Sequence, residues 1–256
     1  MSVWEAIFLG LVQGLTEFLP VSSSAHLVIA QHYLHISTPG LTFEILVHFG
    51  TLVAVLVAFR KDILSLFRKP FQRLTYLIII GTVPTAIIGL VFESYVEQLF
   101  GSVLAVGFML LVTGFFLWIG ETLVSGGKGT EEMSFRDALF IGIAQGMAVT
   151  PGISRSGITI SAALVRGLNR ETAARYSFLV VIPVILGATI LKGAELLSSP
   201  ASREILSPYL IGTAVAAISG YWAIKSLLKV LREGKLRYFS VYCWLLGLIL
   251  IIEQLT

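Results

Sequence analysis

Charge is scarce in this sequence. Asp, Glu, Lys and Arg make up 13% of its 256 residues, against about 25% in an ordinary soluble domain. With 56% hydrophobic residues and a mean hydropathy of +0.89, the composition excludes a water-soluble fold and predicts a polytopic membrane protein. The length fits one helical bundle of several spans and leaves no room for a separate soluble domain. Cysteine is nearly absent. Cys243 stands alone, so no intrachain disulfide can form, and its apolar setting marks it as a small buried hydrophobe. The N-terminus lacks a basic n-region and carries Glu5 where lysine is usual, so the first apolar run is expected to remain in the mature chain. The pI of about 9.0 is not a sign of nucleic-acid binding, because the basic residues fall mostly in short loops between apolar runs.

Those runs define the layout. Stretches 41–59, 74–92, 101–119, 172–192, 209–231 and 238–255 are long enough to cross a bilayer as helices. Two other regions are too short and are broken in the middle. Residues 3–19 end at Leu19-Pro20, and a short helical piece follows Val21-Ser22-Ser23-Ser24 to about His35. Residues 135–149 and 155–167 flank Pro151-Gly152 in the same way. Each pair reads as a re-entrant hairpin, since irregular backbone at membrane depth survives only where it lines a protein cavity.

The two hairpins echo one another. Gln13-Gly14-Leu15 returns as Gln145-Gly146-Met147, and Leu19-Pro20 with Ser22-Ser23-Ser24 returns as Thr150-Pro151 with Ser154-Arg155-Ser156. Each half is a hairpin followed by three spans, so the second half must sit upside down relative to the first. The expected fold class is therefore all-α: a polytopic membrane helical bundle of six transmembrane helices and two re-entrant helical hairpins, arranged as an inverted-topology repeat. It forms a single membrane domain over 1–256, with repeat one at 1–120, a loop at 121–133 and repeat two at 134–256. Inverted repeats place their sites near the midplane, where broken helices of both halves meet.

Charge placement supplies an orientation. If the loop at 60–73, with Arg60, Lys61, Arg68, Lys69 and Arg73, lies inside, alternation also puts inside Lys128, Arg136, Arg166, Arg170, Arg175, Lys225, Lys229, Arg232, Lys235 and Arg237. Lys192 and Arg203 fall outside, with Glu93, Glu97, Glu195, Glu204 and Glu253. This obeys the positive-inside rule and puts both termini outside, with the hairpins entering from opposite faces. The basic clusters at 60–73 and 225–237 read as topology signals, with anionic-lipid contact as a second role. Gly107 and Gly114 offer small-residue faces that can pack helices within the chain or between the copies of a homodimer.

Chemistry concentrates at the hairpin turns. Thr150 to Thr159 brings a cation and several hydroxyls into an oily sequence. The helix opening at Ser154 presents free N–H groups, which attract anions, and the Arg155 fork matches phosphate geometry. Gln13 and Glu17, four apart, share one helix face. An ionisable Glu17 in an apolar helix is a functional candidate by default, its duller role being an ion pair with Arg155. His26 follows the serine turn, and Glu44 and His48 lie one turn apart. Glu44 can also serve as a simple N-terminal charge on its helix, and His32, His35 and His48 read as interfacial. Carboxylate, imidazole, guanidinium and hydroxyls together are the equipment of phosphoryl transfer. A carrier or lipid flippase of inverted-repeat fold, or a protein that sequesters its ligand, uses similar parts. Phosphate release separates these readings.

At these residues the sequence resembles the integral-membrane undecaprenyl-diphosphate phosphatases of the bacitracin-resistance type. Gln13-Gly14-Leu15-Thr16-Glu17 matches the family's first motif, with Gln taking the amide option at its first position. Phe18 to Ser23 and then His26 continue it, and Pro151 to Thr159 matches the second motif throughout. The likeness extends over nearly the whole chain, including Thr42-Phe43-Glu44. It implies an enzyme of the bacterial plasma membrane that removes the terminal phosphate of a C55 polyprenyl diphosphate, recycling the lipid carrier of cell-wall synthesis, with the site opening to the outer face. Glu17, His26, Ser23 and Arg155 would be catalytic. Gln13, Ser22, Glu44, Gly152, Ser154, Ser156 and Thr159 would bind substrate, and Ser23 or a water would attack. A divalent cation, Mg2+ or Ca2+, is implied as well, with Glu17 as its candidate ligand. The amide at Gln13 leaves one strong carboxylate in that motif, which counts against a two-carboxylate metal site.

Overall fold

The computed structural model describes residues 1–36, 41–99, 102–124, 126–197 and 203–256. The side chains of Glu93, Glu97, Lys192, Glu195, Arg203 and Glu204, the expected span start at 101 and the loop residue Ser125 lie outside the described set. Among the described residues the chain forms helices α1 (Val3–Phe18), α2 (Ser23–Tyr33), α3 (Leu41–Ala58), α4 (Arg60–Arg68), α5 (Arg73–Leu99), α6 (Val103–Thr122), α7 (Phe135–Met147), α8 (Arg155–Val165), α9 (Arg170–Leu197), α10 (Arg203–Arg232) and α11 (Leu236–Leu255). Five of them, α5, α6, α9, α10 and α11, are long and apolar enough to cross a membrane, and α3 joined to α4 makes a sixth candidate with a 78° bend. Five of the six expected spans are therefore single helices, and the expected span at 41–59 counts as a sixth only together with the bent continuation α4. Their outer faces carry large apolar side chains such as Ile79, Leu90, Ile190, Ile218 and Leu245, all exposed, as helices surrounded by lipid require.

α4 departs from the expected loop. Its cations Arg60, Lys61 and Arg68 accompany Ile63, Leu64 and Phe67 at helical spacing, and Phe67 is 80% exposed. Cations and apolar side chains arranged in this way make α4 amphipathic, a pattern suited to a membrane surface.

The broken regions are two helix pairs, α1–α2 and α7–α8. Their local chemistry runs in parallel. Ser2 and Glu5 form a capping box on α1, and Ser134 with Asp137 forms one on α7, each satisfying two N–H groups at a helix start. Ser22 caps α2 by accepting from Ala25 N–H at 3.3 Å, and Ser154 caps α8 by accepting from Gly157 N–H at 3.2 Å. These pairs stand in one constant register with Gln13 and Gln145. Helix packing exchanges in the same sense. α1 lies on α10 as α7 lies on α5, while α6 pairs with α11 and α3 with α9. A Cβ on Gly10 of α1 would sit 2.4 Å from the Gly212 carbonyl oxygen, and one on Gly142 of α7 would sit 2.2 Å from that of Gly81. Both contacts bring backbones together as only small residues permit. Gly107 and Gly114 likewise meet Gly247, Trp244 and the Ser240 carbonyl on α11, so they pack helices within the chain.

Ion pairs mark one end of the bundle. Arg166 and Lys128 reach Asp137 at 2.7 and 3.7 Å, Arg170 binds Glu121 with both guanidinium nitrogens, Arg175 pairs with Asp62, and Arg232 lies 3.4 Å from Glu171. Gly234, before α11, lies against Arg170 and Glu121. The α7–α8 pair therefore opens toward this basic end. The α1–α2 pair opens toward the other, where Tyr33, the last residue of α2, donates to Glu253 near the end of α11.

Candidate active site

The two helix-pair turns meet inside the bundle. Gly152 N–H donates to Ser24 Oγ at 3.3 Å, and Ser156 Oγ donates to the Leu19 carbonyl at 3.2 Å. Each turn is held from behind. Thr113 of α6 donates to the Gly152 carbonyl and accepts from Ser154 N–H, both at 2.9 Å, while the Cys243 thiol contacts the Pro20 carbonyl at 3.7 Å. Gly152 has φ +93°, and a Cβ there would lie 2.5 Å from Met109 Cβ. Both the backbone conformation and the space demand glycine. The opposite turn achieves its bend without one. Ser22 has φ 69°, a region that costs a non-glycine residue about 1–3 kcal/mol and persists only when its surroundings hold it.

A cavity of about 190 Å³ opens at this junction, lined by Glu17, Ser22, Ser23, Ser24, Glu44, His48, Thr85, Gln145, Ser154 and Arg155 with apolar Leu27, Val149, Ile153 and Val184. α2 and α8 both start at its wall. Their first N–H groups lack intrahelical partners and carry the positive ends of two helix dipoles. Arg155 adds a full charge beside them. The Glu17 carboxylate is the counterweight. One oxygen accepts from Ser23 Oγ at 2.5 Å and Gln13 Nε2 at 3.0 Å, and the other pairs with the Arg155 guanidinium. The Glu17 side chain is 3% exposed and that of Arg155 is 20% exposed, so both charges are largely removed from water and depend on each other.

His48 completes the group, against the expectation that it is interfacial. Its Nδ1 lies 2.7 Å from the Glu44 carbonyl oxygen and its Nε2 3.7 Å from Glu17. A carbonyl can only accept, so Nδ1 carries the proton and Nε2 faces the cavity. Thr85 and Gln145 form another wall, joined by a 2.9 Å bond from Gln145 Nε2 to Thr85 Oγ1. Sequence reasoning missed Thr85 and His48 in the cavity wall and Thr113 behind the turn. For Gln145 the echo of Gln13 was the available signal.

The remaining candidates sit behind the cavity. Gln13 reaches it only through Glu17. Ser156 bonds Ser154 Oγ at 3.2 Å and the Leu19 carbonyl, and Thr159 is fully buried against the Arg155 carbonyl and Ser177. Gly152 shapes its turn. His26 points elsewhere: its two nitrogens contact the Ser22 carbonyl and the Tyr242 hydroxyl.

A divalent cation held by the protein does not fit this donor set. Among the described residues no three His, Cys, Asp or Glu side chains converge. Glu17 already faces a guanidinium on one oxygen and two donors on the other, and a second cation there would sit against Arg155.

A membrane-embedded helical bundle whose two broken helix pairs aim an arginine, two helix N-termini and a carboxylate-bound serine into one cavity is an anion-handling integral membrane protein equipped for phosphoryl chemistry. The chain belongs to the family described as Bacitracin resistance protein BacA, whose profile matches residues 6–249. It is 50% identical over 256 residues to an undecaprenyl-diphosphatase of Carboxydothermus hydrogenoformans, covering 99% of this chain and 98% of that protein. It is similarly 50% identical over 254 residues to the undecaprenyl-diphosphatase of Halothermothrix orenii, covering 98% of each. The identity is 41% over 256 residues to undecaprenyl-diphosphatase 4 of Bacillus thuringiensis, covering 100% of this chain and 99% of that one.

Proposed function

We propose that this protein is a membrane phosphatase that hydrolyses undecaprenyl diphosphate to undecaprenyl phosphate and inorganic phosphate. The observation that carries the reading is the 2.5 Å bond from Ser23 Oγ to a Glu17 carboxylate facing Arg155 across a cavity at two helix starts. The names of its relatives support the substrate.

The mechanism follows from the geometry. The incoming diphosphate competes with Glu17 for the Arg155 fork, which suits phosphate oxygens in a bidentate manner. The N–H groups opening α2 and α8 hold further oxygens. Glu17 keeps its bond from Ser23 and loses its competing cation. Ser23 Oγ then attacks the terminal phosphorus, its proton passes to Glu17, and the bond from that phosphorus to the bridging oxygen breaks, releasing the lipid monophosphate. Once Glu17 has passed that first proton on, water attacks the phosphoserine and gives a proton to Glu17; the bond from phosphorus to Ser23 Oγ breaks, Glu17 returns the proton to Oγ along their hydrogen bond, and inorganic phosphate leaves. His48 Nε2 is placed to receive protons from Glu17 and pass them to the open cavity. Leu27, Val149, Ile153 and Val184 offer the first isoprene units an apolar wall. The divalent cation implied by the resemblance is assigned to the diphosphate itself, and no step runs through it.

The parallel caps, the exchanged packing and the opposite openings of the helix pairs support an inverted repeat with two re-entrant hairpins. The basic end then faces the cytoplasm, both termini face outward, and the α1–α2 side admits substrate from the outer leaflet. The test is phosphate release from C55 diphosphate by purified protein beside Ser23→Ala and Arg155→Lys. Collapse of turnover in both supports the scheme. Full turnover in Ser23→Ala would transfer the attack to water, and full turnover in Arg155→Lys would remove bidentate phosphate holding.

A further inference from the structure

His26 does not line the cavity, and the chemistry of its ring explains what it does instead. Nδ1 lies 2.7 Å from the Ser22 carbonyl oxygen. That oxygen can only accept, so Nδ1 carries a proton. Nε2 lies 2.7 Å from the Tyr242 hydroxyl, and the two rings are within 9° of parallel with centroids 5.8 Å apart. In the neutral ring Nε2 accepts from that hydroxyl. Both nitrogens are engaged, and neither is directed at the place where phosphate would sit.

The bond to Ser22 falls on the strained residue of the turn. Ser22 holds φ 69°, and its carbonyl accepts from His26 twice, from Nδ1 and, at 3.3 Å, from the backbone N–H. The next residue is Ser23, the first of α2, with its hydroxyl on Glu17. We infer that His26 and Tyr242 are positioning residues for the proposed reaction: Tyr242 of α11 orients the His26 ring, which clamps the Ser22 carbonyl and so sets Ser23 Oγ against Glu17 and the phosphate. His26 neither gives nor takes a proton in the reaction. α11 contributes to the turn through this contact, which links residues far apart in the sequence.

The inference rests on the Ser23–Glu17 pair being the reacting pair, which Ser23→Ala tests separately. The discriminating variants are the two amides at position 26. The side-chain nitrogen of Asn can take the place of Nδ1, whereas that of Gln lies nearer to Nε2. Turnover of C55 diphosphate is measured across pH in His26→Asn, His26→Gln, His26→Ala, Tyr242→Phe and the double variant His26→Asn/Tyr242→Phe, with thermal unfolding as a check on folding. A serine displaced by about 1 Å costs about 100-fold in rate, so His26→Ala and His26→Gln should lose kcat by about 100-fold with KM little changed. His26→Asn should recover to within about 10-fold of the parent, a step of about 1.4 kcal/mol, and keep both limbs of the pH profile. Tyr242→Phe should lower kcat about three- to tenfold and have no further effect in the His26→Asn background, because Asn offers that hydroxyl no Nε2. If folded His26→Asn is as inactive as His26→Ala, or loses one limb of the pH profile, His26 is an acid or base and the inference fails. If His26→Asn does not fold, Tyr242→Phe decides alone. A kcat equal to the parent's overturns the relay, and a lowered kcat at constant KM sustains it.

Discussion

Replacing Glu17 by Gln should abolish turnover and at the same time tighten the hold on the diphosphate. The two effects have separate origins in one carboxylate. Catalysis loses the acceptor of the Ser23 proton, and a positioned base contributes about 10²–10⁴-fold. Binding gains because Arg155 is no longer paired and the anionic substrate no longer meets a fixed negative charge. The Glu17 side chain is 3% exposed, so solvent screens that charge poorly. At an effective dielectric of about 20, like charges about 5–7 Å apart repel by about 2–3 kcal/mol. Part of this is lost to the solvation of a freed Arg155, which leaves about 1.4–2.7 kcal/mol, or about 10- to 100-fold in Kd. The variant is close in shape and can keep a hydrogen bond to Ser23, although leaving Arg155 without its partner should lower stability. The assay is equilibrium binding of a C55 diphosphate to purified, detergent-solubilised parent, Glu17→Gln and Arg155→Ala, each with and without chelator, beside phosphate release. Arg155→Ala should bind weakly. If Glu17→Gln instead binds as weakly as Arg155→Ala, and chelator weakens the parent equally, Glu17 attracts the substrate through a metal ion. The exchange of Arg155 from carboxylate to phosphate would then be wrong.

Three further outcomes follow from particular contacts. Gly152→Ala meets a φ of +93° and Met109 Cβ at 2.5 Å; left-handed backbone costs about 1–2 kcal/mol and overpacking about 1–3, so thermal unfolding should fall and turnover should drop with it, because Ser154 and Arg155 follow directly. Asp137 feels burial, which raises its pKa, but the Ser134 hydrogen bonds, Arg166 and Lys128 outweigh it and hold the carboxyl below its ordinary 3.8. Its folded-state pKa is depressed, so its contribution is present above the ordinary value and is lost as pH falls through the folded one; the thermal midpoint should drop below about pH 4 in the parent and drop less in Asp137→Asn. Phe67→Ser on α4 should weaken adherence to anionic vesicles of a peptide spanning 60–73 while leaving phosphate release by the whole protein near the parent's; unchanged adherence would show that the exposed ring does not face lipid.

How much of this was legible in the chain depended on whether a residue's neighbours in sequence are also its neighbours in space. Spans were legible because each is a continuous apolar run. The turns were legible because Pro20 and Pro151 break such runs beside hydroxyls. α4 was hidden because Arg60, Lys61, Arg68, Lys69 and Arg73 read as an orientation signal, which masked the helical spacing of Ile63, Leu64 and Phe67. His48 reads as interfacial because α3 is apolar nearly all round, so its sequence does not reveal that the ring lines the cavity. Gly50, where a Cβ would stand 2.3 Å from the Thr213 carbonyl oxygen, seats one side of α3 on α10, and His48, two residues away, lies on the other side, toward Glu17. Thr113 is one hydroxyl in an apolar helix, and its partners at Gly152 and Ser154 come from the other half of the chain.

The echo between halves carries more chemistry than its appearance suggests. Ser22 and Ser154 are equivalent caps, so the residues after them, Ser23 and Arg155, are both first in their helices. Turned toward each other across one cavity, the same position supplies a hydroxyl, the nucleophile of the proposed reaction, from one half and a cation from the other. The helices before the turns diverge in the same way. Four residues after Gln13 stands Glu17, and four after Gln145 stands Val149. A carboxylate at both places would put two negative charges where a diphosphate must enter, and the apolar residue leaves that wall free for the lipid. The asymmetry between the halves is therefore what the proposed reaction needs: one helix start gives the hydroxyl beside the Glu17 carboxylate, the other gives the cation suited to hold a phosphate, and the shared backbone geometry brings them to one point.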